Sequence, residues 1–158
     1  VHGWSAPEPP ATRGEIADAE KRFGRPLPHA LIDVLLCSRS WLWRESTYDA
    51  VILLTPQDIA LESLAPADAD DELVVSKSLS DRVKPYCYSA QRIAFAYSDY
   101  CRFQIDEDPT ARGMSGQVVV IDNDEETIDV VADSLGAFIE HGIDCVIAQA
   151  QGGYPNGQ

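Results

Sequence analysis

The sequence predicts an α+β fold: N-terminal helices, a central, largely antiparallel sheet built from hairpins, and a C-terminal helix packed on that sheet. Three observations predict it. Apolar residues recur at helical spacing over residues 13–37, they alternate with period two over residues 92–131, and helical spacing returns after Ser134. No strand–helix–strand alternation typical of a parallel α/β fold is found. At 158 residues, 45% of them hydrophobic, the chain is long enough for one domain with its own core.

Two helices are predicted near the N-terminus. Thr12 and Glu15 have the spacing of a capping box, in which each side chain accepts a backbone N–H of the other residue, so a helix is expected over residues 13–22. Gly24 ends this helix. Pro28 is placed to begin a second helix, because the fixed φ of proline suits the first helical position. The second helix is expected to end near residue 37 or 38.

The middle of the chain is predicted to hold one strand and two short helices. Residues 50–54 form an apolar, strand-sized run, and residues 56–62 follow a threonine cap with proline at the first helical position. Residues 66–72, PADADDE, are expected to be a solvated acidic loop. Residues 76–84 are predicted to form another helix, closed by Pro85.

Two hairpins and a closing helix are predicted in the second half. The first hairpin joins residues 92–97 to residues 102–106, and the second joins residues 117–121 to residues 128–131. Ser134 caps the last helix, which is expected to break or end at Gly142, with an extension through residues 143–148 as the alternative. In domain terms, residues 1–8 are an extended lead-in, residues 9–149 a single domain and residues 150–158 a flexible tail.

Charge is the strongest compositional signal. Twelve basic and 26 acidic residues give a formal net charge of −14. The excess is confined to residues 45–158, which hold six basic and 21 acidic side chains, whereas residues 1–44 are close to neutral. Such a chain repels nucleic acid and anionic membranes and attracts proteins with a basic surface. The alternative is that the acidity only keeps the protein soluble.

The sequence contains none of the usual targeting patterns. No apolar run approaches the ~20 residues that a membrane-spanning helix needs. Residues 1–4, VHGW, have neither the basic nor the apolar region of a signal peptide. A cytoplasmic protein is therefore expected.

The residue patterns of common catalytic and metal sites are also missing. Residues 113–116, GMSG, are not a nucleophile elbow, and residues 122–126 lack the glycine and glutamate that a calcium-binding EF-hand loop requires. The three histidines are scattered. The four cysteines form no Cys-x-x-Cys pair, and we identify no histidine at metal-ligand spacing from a cysteine. We therefore predict free thiols, no catalytic residue, no metal site, no cofactor and no enzyme activity; zinc or disulfide chemistry of the cysteines is the alternative.

Several segments, taken in order, resemble a known family. Residues 10–28, with the junction FGRPLP between two helices, are similar to the opening of Smi1/Knr4 domains of the SUKH superfamily. The similarity continues through the leucine and short helix at residues 53–59, the central hairpin at residues 98–106, and the last hairpin and closing helix at residues 116–124 and 131–139. The ordered set spans roughly residues 9–141. Residues 37–41, CSRSW, depart from the Asn-Gly-Gly type of turn that many members have there.

The resemblance implies that the protein binds another protein. Bacterial members are often immunity proteins that bind and neutralise a polymorphic toxin encoded beside them, in many cases a nuclease, and fungal members are scaffolds in cell-wall and stress signalling. The first hypothesis is therefore an immunity protein whose partner is a cognate toxin with a basic surface, and neither nucleic acid nor a membrane is expected as a partner. The alternatives are a non-catalytic regulatory or scaffold domain and a small-molecule-binding domain.

Two acidic groups and two tryptophans are the candidate partner-binding residues. The acids lie where two hairpin ends are predicted to concentrate negative charge, and tryptophan is enriched at interface hot spots. Core packing is the expected role of at least one of the two tryptophans. The candidates are Asp106, Glu107, Asp108, Asp122, Asp124, Glu125, Glu126, Trp41 and Trp43.

Overall fold

The computed structural model describes residues 5–45, 47–64 and 77–152. Within them the chain forms four helices and one sheet of seven strands. None of the helices in these ranges is both long and apolar enough to cross a membrane. The helices are α1 (Arg13–Phe23), α2 (His29–Cys37), α3 (Pro56–Glu62) and α4 (Leu135–Ala150). The strands are β1 (Leu42–Glu45), β2 (Asp49–Leu53), β3 (Lys77–Ser78), β4 (Arg92–Tyr97), β5 (Cys101–Asp106), β6 (Gln117–Asp122) and β7 (Thr127–Ala132).

The sheet has the strand order β1-β2-β4-β5-β6-β7-β3 and is antiparallel except at one edge. Both predicted hairpins are confirmed: β4 pairs with β5, with Ile93 opposite Ile105, and β6 pairs with β7, with Ile121 opposite Ile128. The exception is β3, which pairs parallel to β7. The predicted α+β class is therefore confirmed, and the short parallel edge strand is an addition to it.

The ends of the helices follow the predicted caps. The N–H of Glu15 donates to Oγ1 of Thr12 at 3.1 Å, and the N–H of Thr12 donates to Oε2 of Glu15 at 2.7 Å, which completes the capping box of α1. Gly24 ends α1 in the left-handed conformation, with φ of 84°. Thr55 and Ser134 cap α3 and α4 through their side-chain oxygens. Local hydrogen bonds thus fix these boundaries.

The predicted helix over residues 76–84 is wrong. The described part of this segment forms β3 and then turns. The N–H of Leu79 donates to the carbonyl of Ile128 at the edge of β7, and the hydroxyl of Ser78 donates to the carbonyl of Ser80. The segment therefore satisfies its polar groups through the sheet edge and through local serine bonds, which compete with helix formation.

Helix α4 does not end at Gly142 but continues to Ala150, so the alternative extension through residues 143–148 is confirmed. A Cβ atom at position 142 would lie 2.8 Å from a ring carbon of Trp43. Glycine is present there because the helix crosses β1 in contact with the indole ring. The glycine is needed for its missing Cβ atom, and it does not interrupt the helix.

Some predicted segments fall on residues that are not described. The acidic loop at residues 66–72 lies outside the described residues, as do residues 1–4 of the lead-in and residues 153–158 of the tail. In the rest of the lead-in, the N–H groups of Ser5 and Glu8 donate to the carbonyls of Leu42 and Ser40. The predicted domain boundaries stay predictions.

The core is divided between the two faces of the sheet. Along β6, Val118 and Val120 belong to a large cluster that includes residues of α1, α2 and α4, whereas Val119 and Ile121 belong to a smaller cluster on the opposite face. Val83, from the connection between β3 and β4, covers the smaller cluster. Both faces of the central strands are therefore buried.

Candidate partner-binding surface

Asp106, the first predicted contact residue, lies inside the molecule. Its side chain is fully buried, its Oδ1 accepts a hydrogen bond from Nε of Arg92 at 3.3 Å, and its Oδ2 accepts one from Nε2 of Gln117 at 3.1 Å. Arg92 also donates to the carbonyls of Lys84, at 2.7 Å, and of Tyr86. This buried ion pair holds the β3–β4 connection against the sheet, because its unused hydrogen-bonding groups are satisfied by that connection. Asp106 is not exposed to a partner.

Glu107 and Asp108, which follow Asp106, are partly exposed but already paired. Glu107 forms an ion pair with Arg25 from the connection between α1 and α2. Asp108 forms one with Nζ of Lys84 at 2.6 Å. Their negative charge is therefore largely compensated within the molecule, and the first acidic group has mainly structural contacts.

The two predicted acidic groups do not lie together. Strands β5 and β6 are antiparallel, with Cys101 opposite Asp122 and Asp106 opposite Gln117. Asp106 and Asp122 thus lie at opposite ends of the same strand pair, roughly 16 Å apart at ~3.3 Å per residue. The acidic residues within each group lie close together, but the two groups are apart. A small partner would therefore contact only one end of the sheet.

The second acidic group forms the turn between β6 and β7. Oδ1 of Asp122 accepts the N–H groups of Asp124 at 2.9 Å and of Glu125 at 3.0 Å, so the turn is built on an aspartate side chain. Glu126 has a φ of 53°, in the left-handed region. Asp124 and Glu125 are exposed, and their carboxylates have no ion-pair partner among the described residues. Asp124 and Glu125 therefore present exposed negative charge at this turn.

The turn between β4 and β5 lies next to it. The N–H of Asn123 donates to the carbonyl of Tyr100 at 3.2 Å. Asp99 in this turn is exposed, and Tyr100 and Tyr97 are 63% and 43% exposed. We call the two turns together the acidic end of the sheet; it comprises Tyr97, Asp99, Tyr100, Asp122, Asp124, Glu125 and Glu126. Tyrosine is one of the residue types enriched at protein interfaces, and here two exposed tyrosines lie beside exposed carboxylates.

A cleft of about 430 Å³ adjoins the acidic end. It lies between α3 and the β4–β5 turn, and its lining includes Asp58, Glu62, Asp99 and the two tyrosines of the acidic end. Arg102 lies 3.6 Å from Glu62 and compensates one of these charges. A cleft with this lining accommodates a cationic side chain more readily than an anionic or apolar group.

The two tryptophans pack against each other and not against solvent. Trp43 is 1% exposed, and its ring centroid lies 4.8 Å from that of the half-buried Trp41. Neither indole N–H has a hydrogen-bond partner within the described residues. Trp43 therefore has the core role that was expected of at least one tryptophan, and Trp41 is its neighbour at the edge of the core.

The buried cysteines are poor nucleophiles. Burial raises the pKa of the Cys101 thiol to about 11, with the carboxylate of Asp122 adding to the effect. Burial also raises the pKa of Cys145 and of Cys87. Since the thiolate is the reactive form, a raised pKa makes these thiols weaker nucleophiles at neutral pH than an exposed cysteine.

Sequence reasoning missed the aromatic part of the acidic end. The hairpin turn containing Asp99 and Tyr100 was predicted. Its position beside the turn after Asp122 was not, because it follows from the pairing of β5 with β6, and these strands are separated by residues 107–116. Tyr97, the last residue of β4, is exposed whereas the five residues before it are buried. The period-two pattern of the sequence does not by itself indicate that an aromatic ring at the end of a strand is exposed.

Comparison with known protein families gives one match. The model of the SMI1 / KNR4 family (SUKH-1) matches residues 10–141, which is well over half of the chain. The matched region runs from the residues before α1 into α4 and includes all seven strands. A comparison with curated proteins gives no significant match.

Proposed function

This chain belongs to the SMI1/KNR4 family (SUKH-1), and from that membership we propose that it is an immunity protein, which binds a cognate toxin and neutralises it by direct contact. Family membership is the observation that carries the proposal. The distribution of charge supports it, since a toxin that acts on nucleic acid needs a basic surface and an acidic protein of net charge −14 is complementary to such a surface.

The acidic end is the proposed contact surface. Its exposed carboxylates Asp124 and Glu125 lack ion-pair partners among the described residues, whereas Glu107 and Asp108 at the other end of the strands are paired. Tyr100 adds a large, mostly exposed ring, of the kind that supplies binding energy at interface centres. The contact thus combines steering by unpaired acids with burial of tyrosine.

Co-expression with the toxin encoded beside this protein tests the function. We expect the protein to restore growth of cells that produce the toxin and to co-purify with it. Failure of both would refute the immunity function. Co-purification with a different, non-toxic protein would favour the regulatory or scaffold alternative instead.

A charge-reversal pair tests the contact surface. D124K/E125K should weaken binding to the toxin by at least roughly 30-fold, because like charges facing each other cost several kcal/mol. D33K/E140K changes the net charge equally at two exposed positions on α2 and α4 and serves as the matched control. If the control weakens binding as much as D124K/E125K does, only the total charge matters and the proposed surface is wrong.

A further inference from the structure

Three side chains that can bind a metal meet where α4 crosses the end of β1. Nε2 of His141 lies 2.9 Å from Oε2 of Glu45 and 3.6 Å from Sγ of Cys145. The three ligand atoms all lie within 4.8 Å of one another. His141 and Cys145 are four residues apart on α4 and therefore share one face of the helix. The expectation that no histidine lies at metal-ligand spacing from a cysteine therefore does not hold for this pair, which is brought together by the helical spacing.

Two of the three spacings between the ligand atoms are close to those of tetrahedral coordination. Zinc binds imidazole nitrogen, carboxylate oxygen and thiolate sulfur at about 2.0–2.3 Å, so two such ligands at a tetrahedral angle lie roughly 3.3–3.6 Å apart. The His141–Cys145 distance of 3.6 Å agrees with this value, and the His141–Glu45 distance of 2.9 Å requires a shift of a few tenths of an ångström. One nitrogen, one oxygen and one sulfur ligand form a set that zinc accepts and that calcium and magnesium do not favour.

The carboxylate of Glu45 is held in place for this role. Its Oε1 accepts the backbone N–H of Tyr48 at 3.1 Å, which leaves Oε2 directed at His141. The side chain of Glu45 is only 7% exposed, whereas that of His141 is 61% exposed. A buried carboxylate needs a positive partner, and the orientation of a ligand by a neighbouring hydrogen bond is typical of metal sites.

We propose that Glu45, His141 and Cys145 bind one Zn²⁺ ion, with the fourth coordination position on the exposed side of His141 open to water or to a partner's side chain. The ion joins α4 to β1, two elements that are far apart in the sequence. The proposed zinc site does not depend on the proposed immunity function.

Binding of zinc releases a proton from the site. Burial raises the pKa of the Cys145 thiol, and the carboxylates of Glu45 and Asp144 raise it further. The thiol is therefore protonated without metal, and the sulfur gives up this proton when it forms the bond to zinc. Nε2 is the His141 atom that faces both Glu45 and Cys145.

Titration of the chelator-treated protein with Co²⁺ tests the site, because cobalt replaces zinc and shows its ligands by absorption. We expect one equivalent to produce an intense thiolate-to-cobalt charge-transfer band together with the visible bands of tetrahedral cobalt, and Zn²⁺ to abolish both. A spectrum of octahedral cobalt without the thiolate band, or no binding, would overturn the proposal.

Variants assign the ligands. H141A should weaken zinc binding by roughly 100-fold or more, since loss of even an outer-shell partner costs 10–100-fold; His141 is exposed enough for this change to leave folding intact. C145A should remove the charge-transfer band. The controls H29A and C37S change exposed residues of α2. Loss of the band in C37S, or unchanged binding in H141A, would contradict the assignment.

Discussion

At the level of single residues, Trp43 and Gly142 explain how α4 packs on the sheet. The indole of Trp43 packs against Trp41, at a centroid distance of 4.8 Å, and against Phe138 of α4, at 5.8 Å. The missing Cβ at Gly142 provides the space for the ring, because three indole atoms lie within 3.2 Å of where that Cβ would be. The Trp43 ring therefore packs against α4 at the position where the helix has no Cβ atom.

Substituting this glycine should therefore destabilise the protein although alanine is the better helix former. We expect G142A to lower the free energy of unfolding by about 1–3 kcal/mol, because overpacking of a rigid ring outweighs the helix propensity gained. G136A, in the first turn of the same helix, meets no atom closer than 3.7 Å and should be neutral or stabilise by up to about 1 kcal/mol. Urea unfolding of both variants measures the difference. Equal effects would contradict the packing argument.

The buried ion pair between Asp106 and Arg92 should make a far larger contribution than the exposed pairs. We expect D106A to lower the free energy of unfolding by about 3–5 kcal/mol, because it leaves the guanidinium of Arg92 buried without its counter-charge. D81A removes the carboxylate partner of Arg112 at the surface, where both side chains are more than half exposed, and should cost less than about 1 kcal/mol. Chemical denaturation compares the two; similar losses would show that Asp106 has no special structural role.

At the level of elements, capping residues correctly predicted the helices that they begin. The prediction failed for residues 76–84, where the sheet edge supplies the hydrogen bonds. Helix α1 was predicted over residues 13–22 and is observed at Arg13–Phe23, since Thr12, Glu15 and Gly24 define both ends. The segment at residues 76–84 has no comparable cap, and the edge of β7 accepts its backbone instead. The conformation of a short polar segment is therefore decided by the residues that lie next to it in space.

The capping box predicts a pH dependence of α1. Hydrogen bonds from the backbone and hydroxyl of Thr12, and then the charge of Arg39, lower the pKa of Glu15 below its ordinary value of 4.5. Because the pKa of Glu15 is lowered in the folded state, its charged form stabilises the protein above the pKa that Glu15 has in the unfolded chain. This contribution is lost as the pH falls through the folded-state pKa. The stability advantage of wild type over E15Q should accordingly be present above pH 4.5 and diminish as the pH falls below it.

Thermal unfolding across this pH range measures that difference. D18N, which neutralises an exposed carboxylate of the same helix without a capping bond, is the matched control. An advantage over E15Q that persists undiminished at the acid end would show that the charged form of Glu15 does not stabilise the helix.

At the level of the whole molecule, topology decides which acids act together. The chain places 21 acidic residues after position 44, but β5 and β6 run in opposite directions, so Asp106 and Asp122 are carried to opposite ends. Ion pairs with Arg25 and Lys84 compensate one end. Among the described residues, the exposed acids Asp124 and Glu125 lie at the other end, beside Tyr97 and Tyr100.

This arrangement predicts salt-dependent association with the proposed toxin. Attraction between an acidic end and a basic partner raises the association rate at low ionic strength, and salt screens it within a Debye length of about 10 Å at 0.1 M. We expect the association rate constant to fall by at least roughly tenfold between about 20 mM and 500 mM salt, with a smaller change in the dissociation rate. Stopped-flow measurements test this. An association rate that is independent of salt would leave solubility as the role of the acidity.

The sequence by itself determined the fold class, the capped helices, both hairpins and the family. Each of these depends on periodicity, on caps or on motifs that act within about ten residues along the chain. Only the tertiary structure decided that Asp106 is buried against Arg92, that the turns of Asp99 and Asp124 adjoin, and that Glu45 meets the α4 pair His141 and Cys145. The physical reason is that strand pairing and helix crossing bring together side chains that are distant in sequence, and burial, pairing of charges and metal coordination all depend on those distances.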